Sequence, residues 1–258
     1  MTTSRSTILF GDDGSPGADL AWLWINSQTW PGWRLEVLHA VLPPLGPPLP
    51  RERTEAHPWT PPAPRRPFAE SRIAEVEHLT AENDPRLALE RPAELVVVGA
   101  RGAGFLKSMH LGSTVEWLLT RPPAPLVIAR AGRPVTSVLL CHDGSAHADR
   151  ALQSFASLPW ISGVHATLLW ADDRRATVAP ELGDVAADLI NAGVKVDITQ
   201  HTGKPAAVIL DHVDQYRPDL VVLGTRGLTG IERLHVGSTA GAVARTAPCS
   251  VLLACADV

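Results

Sequence analysis

The chain has 258 residues, 45% of them hydrophobic and 19% charged, with a net charge of −4 at pH 7. That is an ordinary globular composition, long enough for two domains, and it leaves no broad basic field to gather nucleic acid or anionic lipid. Three cysteines, Cys141, Cys249 and Cys255, show neither zinc nor redox spacing, so neither a disulfide framework nor a structural metal is expected.

The first 15 residues carry too short an apolar stretch for a signal peptide, and no apolar run approaches the roughly 20 residues that cross a bilayer. A cytoplasmic protein without a membrane partner is expected. Along the chain, ILFG reads as a strand that turns through Asp12-Asp13-Gly14-Ser15 into a helix. Residues 43–67 hold ten of the 23 prolines and read as an extended polyproline-like loop. A helix is expected over Phe68–Glu82. Residues 83–94 are then too short for a full strand-plus-helix unit, so one middle βα unit of the first half reads as eroded. Strands ending at Gly99 and Ala129 follow, and a Gly/Pro linker near Ala131–Val135 divides domain 1 (1–132) from domain 2 (133–258).

The second half reads more cleanly. Strands over Ser137–Cys141, His165–Trp170, Val194–Thr199, Asp219–Gly224 and Cys249–Ala254 alternate with helices over Ala148–Ala156, Val178–Ala192, Ala206–Gln215 and Ser238–Thr246. Each strand is apolar throughout, which indicates a parallel sheet covered on both faces, a small doubly wound α/β domain.

The halves repeat one another. Gly99–Thr114 and Gly224–Thr239 match at seven of sixteen positions without a gap, and ILFGDDGSPGA pairs with VLLCHDGSAHA. Each copy therefore carries an Asp-Gly-Ser turn after its first strand and a Gly-x2-Gly-x9-Gly-Ser-Thr stretch after its fourth. Ligands of open parallel sheets sit at these carboxyl ends. Glycines let backbone approach a ligand, while Ser113, Thr114, Ser238 and Thr239 are placed to cap helices whose N-termini suit phosphate. Arg101 and Arg226 lie inside the loops and can offset phosphate charge.

These motifs resemble the universal stress protein family in its tandem two-domain form, over nearly the whole chain except roughly residues 43–90. The resemblance implies two five-stranded parallel sheets in 3-2-1-4-5 order, pairing of the two domains within the chain, a homodimer, and ATP, with Mg2+ as its companion, between the first and fourth strands. Carried onto this sequence, it implies that Asp143 accepts from the adenine or ribose edge and that the backbone near Ala171 lines the base. Gly203 matches the family's Gly-x-Pro, and Gly224, Arg226, Gly227, Gly237, Ser238 and Thr239 cradle ribose and phosphates. The first copy supplies Asp13, Ala40, Gly99, Arg101, Gly102, Gly112, Ser113 and Thr114, without a Gly-x-Pro counterpart.

Phosphoryl-transfer enzymes need a base and usually carboxylate-held metal. Each copy offers one matched aspartate, and His142 stands where Asp12 stands in the first, so no catalytic residue or metal ligand is assigned. An ATP-binding regulatory module, binding chiefly in domain 2, is the expected function. The alternative is a nucleotide-independent scaffold that recruits a partner. Adenylate transfer would need a Ser-Gly-Gly-x-Asp-Ser-like loop that the first strand does not lead into.

Overall fold

Short runs of Val, Leu and Ile bounded by turn residues make strands whose both faces are buried, and ten strands join in one sheet. The computed structural model describes residues 5–41, 63–102, 111–172, 182–226 and 236–254. In the first half, β1 (Thr7–Gly11) leads to α1 (Pro16–Asn26) and β2 (Arg34–Ala40). Then come β3 (Glu75–Ala81), α2 (Pro85–Ala88), β4 (Leu95–Gly99), α3 (Ser113–Thr120) and β5 (Leu126–Ala129). The second half runs β6 (Ser137–Cys141), α4 (Ala146–Ala156), β7 (His165–Asp172), α5 (Leu182–Asn191) and β8 (Lys195–Thr202). It closes with α6 (Pro205–Tyr216), β9 (Leu220–Gly224), α7 (Ser238–Thr246) and β10 (Ser250–Ala254).

The sheet order is β3-β2-β1-β4-β5-β10-β9-β6-β7-β8. Each half is thus a parallel 3-2-1-4-5 sheet, and the halves meet where β5 and β10 pair antiparallel, Val127 opposite Leu252. Two apolar edges that would otherwise invite foreign strands satisfy each other. Side chains reinforce the seam. Arg245 on α7 makes a bidentate pair with Glu116 on α3, at 2.8 and 2.7 Å. Arg130, just after β5, donates to the Ala244 and Cys249 carbonyls of the other half. Burial pushes its guanidinium down to about 10, yet it stays cationic at neutral pH. On one face Trp24 and Trp30 pack edge-on against Trp160 across the halves, with centroids 6.1 Å away in both pairs.

The expected helix over Phe68–Glu82 is not there. A 3-10 turn at Ala69–Ser71 precedes the edge strand β3. Ile73, Val76 and Leu79 recur every three residues, which mimics a helix, but an edge strand exposes polar residues on both faces and need not alternate. The erosion of the first half falls on helices instead. Between β3 and β4 stands the four-residue α2, where the second half has the twelve-residue α6. Most of the Pro-rich loop, the start of the predicted 178–192 helix, and Cys255 lie outside the described residues.

Candidate functional site

Both Asp-Gly-Ser turns fold identically. Gly14 and Gly144 adopt φ of 71° and 81°, a left-handed conformation that explains glycine at both places. Asp13 Oδ1 accepts from the Ser15 amide at 3.1 Å, and Asp143 Oδ1 from the Ser145 amide at 3.0 Å. Each serine then caps its helix: Ser15 Oγ accepts from the Ala18 amide and Ser145 Oγ from the Ala148 amide. The same hydroxyls donate to the carbonyls of Arg101 (3.2 Å) and Arg226 (3.4 Å), which ties each turn to the loop after the fourth strand.

Gly99 and Gly224 also have a packing role that the sequence did not suggest. A Cβ on Gly99 would lie 2.3 Å from Gly17 backbone atoms, and one on Gly224 would lie 2.6 Å from the His147 carbonyl carbon. These glycines let the strand end touch the helix that follows the first strand, which brings the two loops together. Gly102 is the glycine that faces the turn, its would-be Cβ only 2.4 Å from Asp13 Oδ2.

The serine and threonine pairs do not cap as expected. Gly112 and Gly237 occupy the N-caps of α3 and α7, Ser113 and Ser238 are the first helical residues, and neither cap residue offers a side chain to the first turn. The glycines place the helix start too early for the hydroxyls to fold back. Whereas α1 and α4 have capping side chains, α3 and α7 present their first-turn amides, with the positive dipole end, to the carboxyl edge of the sheet.

In domain 1 a cavity of about 280 Å³ opens at this edge, between β1 and β4. All eight residues singled out in the first copy line it: Asp13, Ala40, Gly99, Arg101, Gly102, Gly112, Ser113 and Thr114. Sequence reading missed its apolar wall. Leu38 on β2, Val98 on β4, Leu89 beyond α2, Leu111 and Val115 supply it, and Asp12 joins the polar rim. The signal was available in Leu38 and Val98, neighbours of Ala40 and Gly99 that the strand alternation sends to the same side as the third helix.

In domain 2 the structure puts Asp143 after β6, Ala171 on β7, Gly203 after β8, Gly224 and Arg226 at the end of β9, and Gly237, Ser238 and Thr239 at the start of α7. All of these lie at the carboxyl edge. Gly203 stands two strands away from β6, its amide on the Asp172 carbonyl at 3.0 Å. Gly227 lies outside the described residues. Burial, then the nearby Arg226, push the His147 pKa down while Asp143 opposes them.

Among the described residues no group of three His, Cys, Asp or Glu side chains could hold a metal, and no helix is long and apolar enough to cross a membrane.

The fold and the paired loops define a class: a tandem, doubly wound α/β protein with a glycine-loop site at the carboxyl edge of each half. Comparison with known proteins agrees. The universal stress protein family matches residues 4–130 and 134–254, and the chain belongs to that family. It is 27% identical over 164 residues to universal stress protein Slr1230 of Synechocystis, covering 62% of this chain and 57% of that one. It is 41% identical over 61 residues to universal stress protein MJ0531 of Methanocaldococcus jannaschii, covering 24% of this chain and 36% of that protein. The chain thus spans between about a third and three-fifths of these two relatives. A universal stress protein structure from Archaeoglobus fulgidus covers 99% of this chain and 100% of its own, with a TM-score of 0.66 at 18% identity, which is a likeness of fold.

Proposed function

We propose that this protein is an adenine-nucleotide-binding regulatory protein of the universal stress type, with ATP as its ligand. The observation that carries the reading is the domain 1 cavity, which gathers every residue singled out in the first copy under a helix N-terminus whose cap residue is a glycine. Its volume is near the lower end of small-ligand pockets, enough for a base and ribose with the phosphates toward the open loop. The apolar wall of Leu38, Val98 and Leu89 suits a flat ring, and Asp13 at the rim suits hydroxyl or amino donors. Arg101 and the first-turn amides of α3 suit phosphate.

ATP fits both carboxyl edges, and Mg2+ would ride on its phosphates rather than on a protein cage. Domain 2, which alone has the Gly203-Lys204-Pro205 turn, is the site we expect to bind ATP more tightly. Binding rather than turnover is the output, because Asp12, the one extra carboxylate at the domain 1 rim, is already held by an arginine. Mass spectrometry of nucleotide released from purified protein, followed by calorimetric titration with ATP, AMP and GTP, tests the reading. ATP heats that vanish with Asp143→Ala and Asp13→Ala together support it. No heat with any nucleotide would leave the scaffold alternative, in which the loops serve only to shape the surface.

A further inference from the structure

Asp12 differs from every other carboxylate near the sites. Its side chain is fully buried at the end of β1, on the rim of the cavity, and both oxygens meet one guanidinium: Arg65 Nε to Oδ2 at 2.6 Å and Nη2 to Oδ1 at 2.9 Å. Arg65 lies 53 residues along the chain, in the stretch that ends the Pro-rich segment. The same nitrogen reaches Asp19 on α1 at 2.9 Å, and the guanidinium carbon sits 5.7 Å from the centroids of both Phe10 and Trp22. Burial pushes the guanidinium pKa down, but hydrogen bonds to the two carboxylates and their charges outweigh it and leave it above its ordinary value.

The contact is closed from the backbone side as well. His78 Nε2 donates to the Arg65 carbonyl at 3.0 Å, His78 stacks on His39 with centroids 6.0 Å apart, and His39 Nδ1 donates to the Asp12 carbonyl at 3.0 Å. Phe68 extends the attachment, its amide on the buried Asn26 carboxamide oxygen at 2.7 Å. Asp12 Oδ1 in turn accepts from the Gly14 amide at 3.0 Å, within the turn that carries Asp13. Among the described residues domain 2 has no counterpart of this ring. There His142 Nδ1 accepts the Gly144 amide at 3.2 Å and Nε2 meets Asp149 at 2.8 Å, so the residue at the place of Asp12 leans on its own turn and helix. Trp170 and Ile198 stand at the positions of His39 and His78.

We infer that Arg65 is a positioning residue for the domain 1 pocket: by gripping Asp12 it fixes the turn that presents Asp13, and it makes adenine-nucleotide affinity there, and there alone, depend on the docking of residues 63–68. This rests on the nucleotide reading of the pocket. Linkage makes the dependence reciprocal, so nucleotide in the pocket must strengthen the docking of Arg65 by the same factor. One domain then binds unconditionally and the other only when this distant stretch is seated.

Calorimetric titration of the full chain with ATP, both sites in one cell, tests the inference together with tryptic cleavage of the Arg65–Arg66 bond. Arg65→Gln should weaken the domain 1 event by about tenfold, the loss of a buried charge-assisted contact, and leave the domain 2 event unchanged. Arg65→Lys should fall between, since an ammonium keeps the charge but cannot fork across both oxygens. Saturating ATP should slow cleavage at Arg65–Arg66 in the wild-type chain. Should Arg65→Gln fold poorly, Asp19→Asn, at an exposed position, removes the outer leg and should give a smaller loss in the same direction. Equal domain 1 affinity in wild type and both variants overturns the inference while the nucleotide reading stands. Equal weakening of both events, with no ATP protection of the Arg65–Arg66 bond, also overturns it, leaving Arg65 as general fold support. A wild-type chain whose ATP titration shows no event that Asp13→Ala removes overturns the nucleotide reading for that pocket and the inference with it.

Discussion

The two carboxyl edges of the sheet share one skeleton and are braced by different chemistry. Both have the Asp-Gly-Ser turn, the serine that caps one helix and donates to the loop carbonyl, and the strand-end glycine pressed against that helix. In domain 2 the turn leans on an imidazole contact with Asp149 of the adjoining helix. In domain 1 the same place holds a buried carboxylate that needs a partner, because an unpaired buried charge is costly, and the partner comes from remote chain. The two halves thus share the turn, the cap and the strand-end glycine and differ in what braces the residue before the aspartate.

The strand-end glycines should give the largest effects. Gly99→Ala puts a methyl into Gly17 backbone and Gly224→Ala puts one into the His147 backbone, neither of which is a flexible side-chain tip. Each should cost about 3 kcal/mol in urea unfolding, toward the upper end for overpacking. If only one substitution is severe, the shared skeleton is not shared. Next comes nucleotide binding. With domain 2 as the tighter site, Asp143→Ala should remove the tight phase of an ATP titration, and Asp13→Ala should leave it nearly unchanged. Two equal phases in the wild type, or a tight phase lost only with Asp13→Ala, would reverse the order of the sites.

Ser15→Ala and Ser145→Ala each delete an N-cap and a bond to the glycine-loop carbonyl. A loss of about 1 kcal/mol apiece is expected in thermal melts. The longer 3.4 Å contact from Ser145 predicts that its removal disturbs its loop less than removal of Ser15 disturbs the other. Nucleotide affinity in the two variants reads out that difference directly.

Much of this was legible in the sequence. The gapless repeat of Gly99–Thr114 in Gly224–Thr239 gave away two copies, and solid apolar strands between helical segments gave away parallel sheets. The pairing of the two domains was implied by the family resemblance, and the structure makes it an antiparallel meeting of β5 and β10. What escaped was non-local or at an edge. Strand β3 was hidden because an edge strand lacks the period that burial imposes. The packing role of the glycines at 99 and 224 was hidden because a sequence cannot tell a backbone that nears a ligand from one that also presses on a helix. Arg65 was invisible, one of two adjacent arginines among prolines, since only the fold brings it 2.6 Å from Asp12.

The smallest effect separates how the two halves begin. Asp219, just before β9, gathers the start of domain 2: Oδ2 accepts from the Thr136 amide and hydroxyl at 3.0 and 2.9 Å and from the Ser137 amide at 3.1 Å, while Arg133 approaches Oδ1 at 2.8 Å. The counterpart in domain 1, Glu94, accepts the Thr7 amide at 2.5 Å. Burial alone would raise the Asp219 pKa, but the bonds from Thr136 and Ser137 and the charge of Arg133 together hold it below the usual carboxylate value. A carboxylate depressed in the folded state binds its proton more readily when unfolded. Its stabilisation is therefore complete above the unfolded pKa of about 3.9 and is lost as pH falls through the lower folded value. The stability difference between wild type and Asp219→Asn should accordingly be constant from pH 7 to about pH 5 and shrink below about pH 4. Thermal melts of both proteins at pH 7, 5 and 3 measure it. A difference that stays the same at pH 3 would mean that the Asp219 charge contributes nothing, and that the linker is held by the neutral geometry of the Thr136 and Ser137 contacts alone.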